Sequence, residues 1–322
     1  MPLPVTKAEL NRLGDRLRDS DGPTRSDLEL LAVVLAAYRE NLQQAEIHLR
    51  SLGYAPTTRV KTTPTMTDKL RRTHGMELAR MQDLAGARIV VDDITAQDEA
   101  AGKISALYQK LGCPCRLVDR RADPRYGYRA VHLIVHIDQM PLEIQVRTRM
   151  QDTWANIVER LADRWGRGIR YGQAPEAPER AASSTNWATQ SRDLLTALTE
   201  VSDKTASIER ARATIKTALV SLGNIADSLS KPQPTRRMPH DLQTDVRDGV
   251  ARIMEDLHAD VDPEIRGILD QPQDITYAQG GRLIEISRTL ADGHLRETDE
   301  SLLNIGQRLT EILQLIARAE GW

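Results

Sequence analysis

Two short apolar runs, one close behind the other, constrain this chain more than any other feature. Val131, Leu133, Val135 and Ile137 are apolar, with His132 between them. Asp138-Gln139-Met140-Pro141 follows, and then a second run, residues 142–147. In that run Leu142, Ile144 and Val146 alternate strictly with Glu143, Gln145 and Arg147. Side chains on a strand point alternately to opposite faces, so this pattern predicts a hairpin with one apolar and one polar face. His132 falls on the polar face, opposite the apolar set of its own strand.

The rest of the chain supplies helices to cover such a sheet. Ser26-Asp27-Leu28-Glu29 reads as a capping box. A long helix is expected from there to about Gly53, and a shorter basic one over 65–74. Residues 88–91 form a buried strand, and 96–111 a helix returning the chain to the sheet. Trp154, Val158, Leu161 and Trp165 recur at helical spacing. Residues 1–182 are therefore expected to be α+β, a mixed β-sheet flanked by helices. A Pro/Ala/Glu-rich linker begins at Gln173. Residues 183–322 are expected to be all-helical, with one helix over 187–229 carrying Leu194, Leu195, Leu198 and Val201. Lys231-Pro232-Gln233-Pro234 breaks it, and two or three more helices run to Trp322. His240-Asp241 reads as a turn.

Charge is unevenly spread. Residues 251–322 hold 7 Arg, no Lys and 14 Asp or Glu, whereas 57–88 hold seven Lys or Arg against three Asp or Glu. A basic first part suits a polyphosphate or a nucleic acid. The acidic last part either aids solubility, folds over the site as a tethered inhibitor, or drives oligomerisation. The start, MPLPVTKAEL, lacks the apolar core of a signal peptide, and no apolar run is long enough for a membrane span. A cytoplasmic location with no membrane partner is expected. Cys113 and Cys115 read as ordinary reduced thiols, because no nearby His or Cys cluster completes a zinc site.

The polar face gathers the groups that phosphoryl-type transfer needs: positioning, cations for developing charge, and a group to activate the nucleophile. Arg59, Lys61, Lys69 and Arg88 could balance a triphosphate. Asp83 and Glu143 could share a divalent metal. The turn Arg125-Tyr126-Gly127-Tyr128-Arg129 adds aromatic rings on which a base could stack. No Gly-x-x-x-x-Gly-Lys-Ser/Thr loop is present, which excludes a P-loop enzyme.

Four stretches in order then carry a resemblance: Arg59-x-Lys61 with Thr65 and Lys69, Asp83-Leu84-Ala85-Gly86-Ala87-Arg88-Ile89-Val90, Gly127-Tyr128-Arg129-Ala130-Val131-His132, and Glu143-Ile144-Gln145-Val146-Arg147-Thr148. With Trp154-Ala155 and Glu159, they resemble the RelA/SpoT synthetase domain over about residues 25–175. That resemblance implies a nucleotidyltransferase-like fold and an ATP-dependent pyrophosphokinase. It would move the β,γ-pyrophosphate of ATP to a ribose 3′-hydroxyl of GDP or GTP, giving the alarmone (p)ppGpp. By position it implies that Arg59 and Arg88 contact the adenine and phosphates of ATP, and that Lys61 and Lys69 hold its phosphates. Asp83 and Glu143 would bind Mg²⁺, with Glu143 also activating the hydroxyl. Tyr128 would stack on the acceptor base, and His132, Gln145 and Arg147 would orient the acceptor or support Glu143.

The chain departs from the family pattern at Tyr126, where Asn is usual, at Pro124, where Lys is usual, and at Thr65, where Ser is common. The loop Tyr126-Gly127-Tyr128-Arg129-Ala130-Val131-His132 also resembles that of small toxic synthetases, some of which pyrophosphorylate the 3′ CCA end of tRNA. An antitoxin or a second copy would then be a partner. Arg116, Arg120, Arg121, Arg125, Arg164, Arg167 and Arg170 could meet an RNA backbone. The stretch before Arg59 is too short for the family's N-terminal hydrolase domain. A non-catalytic nucleotide-binding module is the reading from another class. The presence of both carboxylates, Asp83 and Glu143, argues against it.

Overall fold

The computed structural model describes residues 2–19, 22–176, 187–229, 235–257, 263–270 and 274–319. Two compact units divide the chain. One comprises Met1–Asn156 with Arg167–Gln173, the other Ile157–Gly166 with Ala174–Trp322.

The first unit opens with α1 (Lys7–Arg18), which the sequence reading does not anticipate, and α2 (Arg25–Ser51). The capping box of α2 lies two residues before the expected Ser26. Thr24 is the N-cap, its hydroxyl accepts from the Asp27 N–H, and Asp27 reaches back to the Thr24 backbone. Thr24 takes this place because it holds the extended backbone a cap needs, while Ser26 already lies in the first turn.

Next come β1 (Thr57–Val60), α3 (Thr63–Arg72), β2 (Ala85–Val91), α4 (Ile94–Lys110), β3 (Cys115–Asp119), β4 (Val131–Ile137), β5 (Met140–Thr148) and α5 (Arg149–Trp165). The sheet order is β1-β2-β5-β4-β3. β2 and β5 are parallel and the other neighbours antiparallel, so the sheet is mixed. The hairpin between β4 and β5 is tighter than expected. Only Asp138 and Gln139, both at positive φ, form the loop, and Met140 and Pro141 pair with Ile137 and His136. Such a two-residue turn matches the twist of the strands. Pro141 is tolerated because β2 pairs with β5 only from Glu143 onward, so no ladder hydrogen bond is lost on that side.

The apolar face of the sheet carries Ala85, Ala87 and Ile89, then Leu142, Ile144 and Val146, then Val131, Leu133 and Val135, all buried. With α2 and α4 laid against it, this face forms one core that also takes in Leu10, Leu13 and Leu17 of α1. α5 passes from the first unit into the second at Ile157; its buried residues are Trp154 and Ala155 in the first part and Ile157, Leu161 and Ala162 in the second, while Val158 and Trp165 are only half-buried.

The second unit is helical, with α6 (Trp187–Leu229), α7 (His240–Leu257), α8 (Pro263–Leu269) and α9 (Tyr277–Ala319). It has its own core, including Leu222, Val250, Ile253 and Leu283. His240-Asp241 is not an isolated turn but opens α7, where an acidic first turn suits the free backbone N–H groups. The expected break at 231–234, the 182/183 boundary and Trp322 lie outside the described residues. Among the described residues, no helix is long and apolar enough to cross a membrane.

Candidate active site

Register places the polar side chains in rows across one face of the sheet. Arg59, Gly86 and Glu143 are successive partners on β1, β2 and β5, and Ile134 and Arg116 continue the row. The next row runs Thr57, Arg88, Gln145, His132 and Val118. Gly86 is needed because its strand runs very close to β5. A Cβ there would lie 2.8 Å from the Glu143 carbonyl oxygen.

At one end of the site two lysines grip one carboxylate. Lys61, held just past β1 by its backbone N–H to the Leu84 carbonyl (2.7 Å), places Nζ 2.7 Å from Asp83 Oδ2. Lys69 reaches Asp83 Oδ1 from α3, also at 2.7 Å. Burial pushes the Asp83 carboxyl upward, but the charges and hydrogen bonds of Lys61 and Lys69 outweigh it and hold the group below its usual 3.8. Lys61 sits below its usual 10.5. Burial is the largest cause and outweighs the charge and hydrogen bond of Asp83, which pull the other way, while the positive charges of Lys69 and Arg59 add to it. Arg59 is exposed.

At the centre is a closed ring of hydrogen bonds. Glu143 Oε1 meets His132 Nδ1 at 3.0 Å, and His132 Nε2 meets the Tyr128 hydroxyl at 2.9 Å. Arg147 Nη2 donates to that hydroxyl at 3.2 Å and to Gln145 Oε1 at 2.9 Å. Gln145 Nε2 donates to Glu143 Oε2 at 2.7 Å, which closes the ring. Burial raises the Glu143 carboxyl, the hydrogen bonds and charge of His132 and the Gln145 amide lower it, and Asp83 raises it. The net result is below the usual 4.5. Arg59, two residues before Lys61, is paired with Gly86, whose partner on the other side is Glu143, so the clamp and the ring adjoin along the sheet.

Two residues not singled out from the sequence complete the face. Asp152 Oδ1, in the first turn of α5, accepts from Arg88 Nη1 (3.1 Å) and Arg147 Nη1 (3.0 Å). Asn156, one turn on, accepts from Arg88 (3.2 Å) and donates to Asp152 (3.0 Å). Their i, i+4 spacing on one helix face was the available signal. Arg147 is the most enclosed of these groups, at 2% exposure.

Several arginines considered for an RNA backbone already have partners. Arg121 pairs with Asp98 and Asp119, Arg120 with Asp123, Arg167 with Asp68, and Arg116 donates to Gln82. Arg125 and Arg164 are exposed. Among the described residues no three His, Cys, Asp or Glu side chains are grouped to hold a metal. Asp83 and Glu143 are hard-oxygen donors of the type that Mg²⁺ accepts, and both oxygens of each are bonded within the protein, those of Asp83 to Lys61 and Lys69 and those of Glu143 to His132 and Gln145.

Comparison with known proteins adds the following. Relatives include Rv1366 of Mycobacterium tuberculosis, 36% identical over 181 residues, which are 54% of this chain and 64% of the relative. The chain thus spans less than two thirds of that relative's length. The bifunctional (p)ppGpp synthase/hydrolase RelA of M. tuberculosis is 38% identical over 77 residues, 23% of this chain and 10% of that protein. The small alarmone synthetase 1 from Bacillus subtilis superposes with a TM-score of 0.40 at 22% identity, over 53% of this chain and 88% of that one. Residues 58–162, which hold the lysine clamp, the ring and its Asp152–Asn156 support, match the family described as the region found in RelA / SpoT proteins, and the chain carries that region.

Proposed function

We propose that the chain is a pyrophosphokinase that transfers the β,γ-pyrophosphate of ATP to the ribose 3′-hydroxyl of GDP or GTP. One observation carries this reading: Glu143, fixed by His132 and Gln145, shares a row across the sheet with Arg59, two residues before the Lys61 that pairs with Asp83. The 77-residue match to a (p)ppGpp synthase/hydrolase supports it.

In this reading Lys61, Lys69 and Arg59 bind the ATP phosphates, and Arg88, braced by Asp152, holds the donor from the next strand. Glu143 takes the proton of the 3′-hydroxyl. The oxygen then attacks the β-phosphorus, the bond from that phosphorus to the α,β-bridging oxygen breaks, and AMP leaves. Developing charge on the transferred group is met by the lysines. Asp83 and Glu143 would hold Mg²⁺, which supplies further positive charge to the triphosphate. Gln145 and His132 hold the Glu143 carboxylate in place, and Arg147 fixes both the Gln145 and the Tyr128 ends of the ring.

The test is to incubate the protein with γ-labelled ATP, Mg²⁺ and either GDP or bulk tRNA. Label on GDP is expected. Label on tRNA alone would replace the acceptor while keeping the chemistry, and label on neither would sink the reading.

A further inference from the structure

We infer that Gln97 is a positioning residue of the transfer site: it sets the angle at which the chain passes from β5 into α5, and so the meeting of Arg88 and Arg147 on Asp152. This rests on the pyrophosphokinase reading and deepens it. Gln97 belongs to α4, one of the helices laid on the core face of the sheet, and is 0% exposed. The other buried residues near it on that helix, Ala100, Ala101 and Ile104, are apolar. An apolar side chain would fill the place without the desolvation cost of an amide.

The amide is bonded at both ends. Gln97 Nε2 donates to the Val146 carbonyl at 2.7 Å and to Gln151 Oε1 at 2.8 Å. Gln97 Oε1 accepts from Arg121 Nη1 at 3.2 Å and from Gln151 Nε2 at 3.4 Å. A guanidinium can only donate, so Arg121 fixes which end of the amide carries the oxygen. Arg121 is itself held, with Nη2 2.7 Å from Asp98 Oδ1 and 2.7 Å from Asp119 Oδ2. A buried polar group satisfied in this way specifies one geometry, which apolar packing alone does less firmly.

The two donations span the turn from strand to helix. Val146 precedes Arg147 on β5, and Gln151 precedes Asp152 on α5. Thr148 and Gln151 form a capping box at the start of that helix. The Gln151 N–H donates to Thr148 Oγ1 at 3.2 Å, and the Thr148 N–H donates to Gln151 Oε1 at 3.2 Å. Gln151 Oε1 thus takes one bond from the cap and one from Gln97. On the polar face, Arg147 Nη1 and Arg88 Nη1 converge on Asp152 Oδ1. That oxygen is where the ring around Glu143 meets the cation of β2, since Arg147 also bonds Gln145 and Tyr128. A shift of the first turn of α5 would draw Asp152 away from both arginines at once. Gln97 ties the strand end to the helix start and opposes that shift.

The test uses the full chain, with the acceptor that takes label, and compares rates below the melt of every variant. Gln97→Met keeps the length of the side chain and removes all four bonds. Its kcat is expected to fall about 10- to 100-fold, the scale of a displacement of up to about 1 Å at a reacting group. Asp152→Ala should lose at least as much, and the double variant should be no slower than Asp152→Ala alone, because both changes act at one junction. A residue that only fills the core would lower the melt and leave kcat unchanged, or its loss would multiply with that of Asp152→Ala. Either result overturns the inference and leaves the enzyme reading intact. Should Gln97→Met fail to fold, Gln97→Glu takes its place, since it keeps the shape and the acceptor for Arg121 but cannot donate when ionised. Asp152→Asn stands in likewise for Asp152→Ala. A wild-type chain that labels no acceptor sinks both readings.

Discussion

At the residue scale, much depends on how Glu143 is kept charged. Its carboxylate is held at both oxygens, by His132 and by Gln145. Glu143→Gln preserves shape but removes the base, so transfer should fall by about 10²- to 10⁴-fold, the usual contribution of general-base catalysis. Single-turnover assays check this, and activity within about 10-fold of wild type would refute the role. The same depressed carboxyls set an acid limit on stability. Folding lowers Glu143 below 4.5 and Asp83 below 3.8. Where the folded value is the lower one, the unfolded chain binds more protons, so stability rises with pH across that interval. Each group's contribution is therefore fully present above those values and is lost as the pH falls through the lowered folded ones. Urea melts from pH 6 down to 2.5 should show loss concentrated below about 4.5, and Asp83→Asn should weaken that dependence. Lys61, held below 10.5, acts with the opposite charge: its ionised form is disfavoured by the fold, so stability gains as the pH rises from its lowered value toward 10.5.

At the element scale, the decisive feature is the parallel contact of β2 with β5. Gly86 brings the clamp strand and the Glu143 strand together, and its Cβ would lie 2.8 Å from a carbonyl oxygen that cannot swing aside. Gly86→Ala should cost about 1–3 kcal/mol, the usual penalty for forcing atoms into a packed interior. It should also lower transfer by shifting Glu143 relative to Lys61. Thermal melts and kcat measured on the same preparation test both effects, and an unaltered melt would show that the strands tolerate separation.

How legible this was in the sequence follows from the range of each signal. Alternation within 142–147 exposes both faces of β5 at once, so Glu143, Gln145 and Arg147 could be grouped from the chain alone. The edge strands β1 and β3 carry no such pattern, since β1 is largely exposed and Leu117 of β3 is half exposed to solvent. Pairing Gly86 with Glu143 needs a parallel register between distant segments, which no local pattern encodes. Asp152 looks like any of the three acids on α5 until Arg88 and Arg147 are seen converging on it.

At the scale of the whole molecule, the helical character of the second unit was plain from its apolar spacing, but the division of the chain was not. Residues 157–166 cluster with the second unit and 167–173 return to the first, so the two units interleave in sequence. Each has a separate core: the first is built around the sheet, the second around α6, α7 and α9. We propose that 1–182 holds the transferase and that 183–322, with its acidic last part, is regulatory or promotes oligomerisation. A point change in the second core tests this without cutting the chain. Leu283 is fully buried there, and Leu283→Ala should cost about 2–5 kcal/mol. If the helical unit only aids solubility, the variant should aggregate sooner on heating yet transfer pyrophosphate at the wild-type rate below its melt. If that unit restrains the site, loosening its core should raise kcat at the same temperature, and if it assembles copies, sedimentation should show smaller species. Leu283 belongs to the second core and not to the first, so an unchanged KM for ATP and for the acceptor would separate a change in rate from damage to the groups on the sheet face.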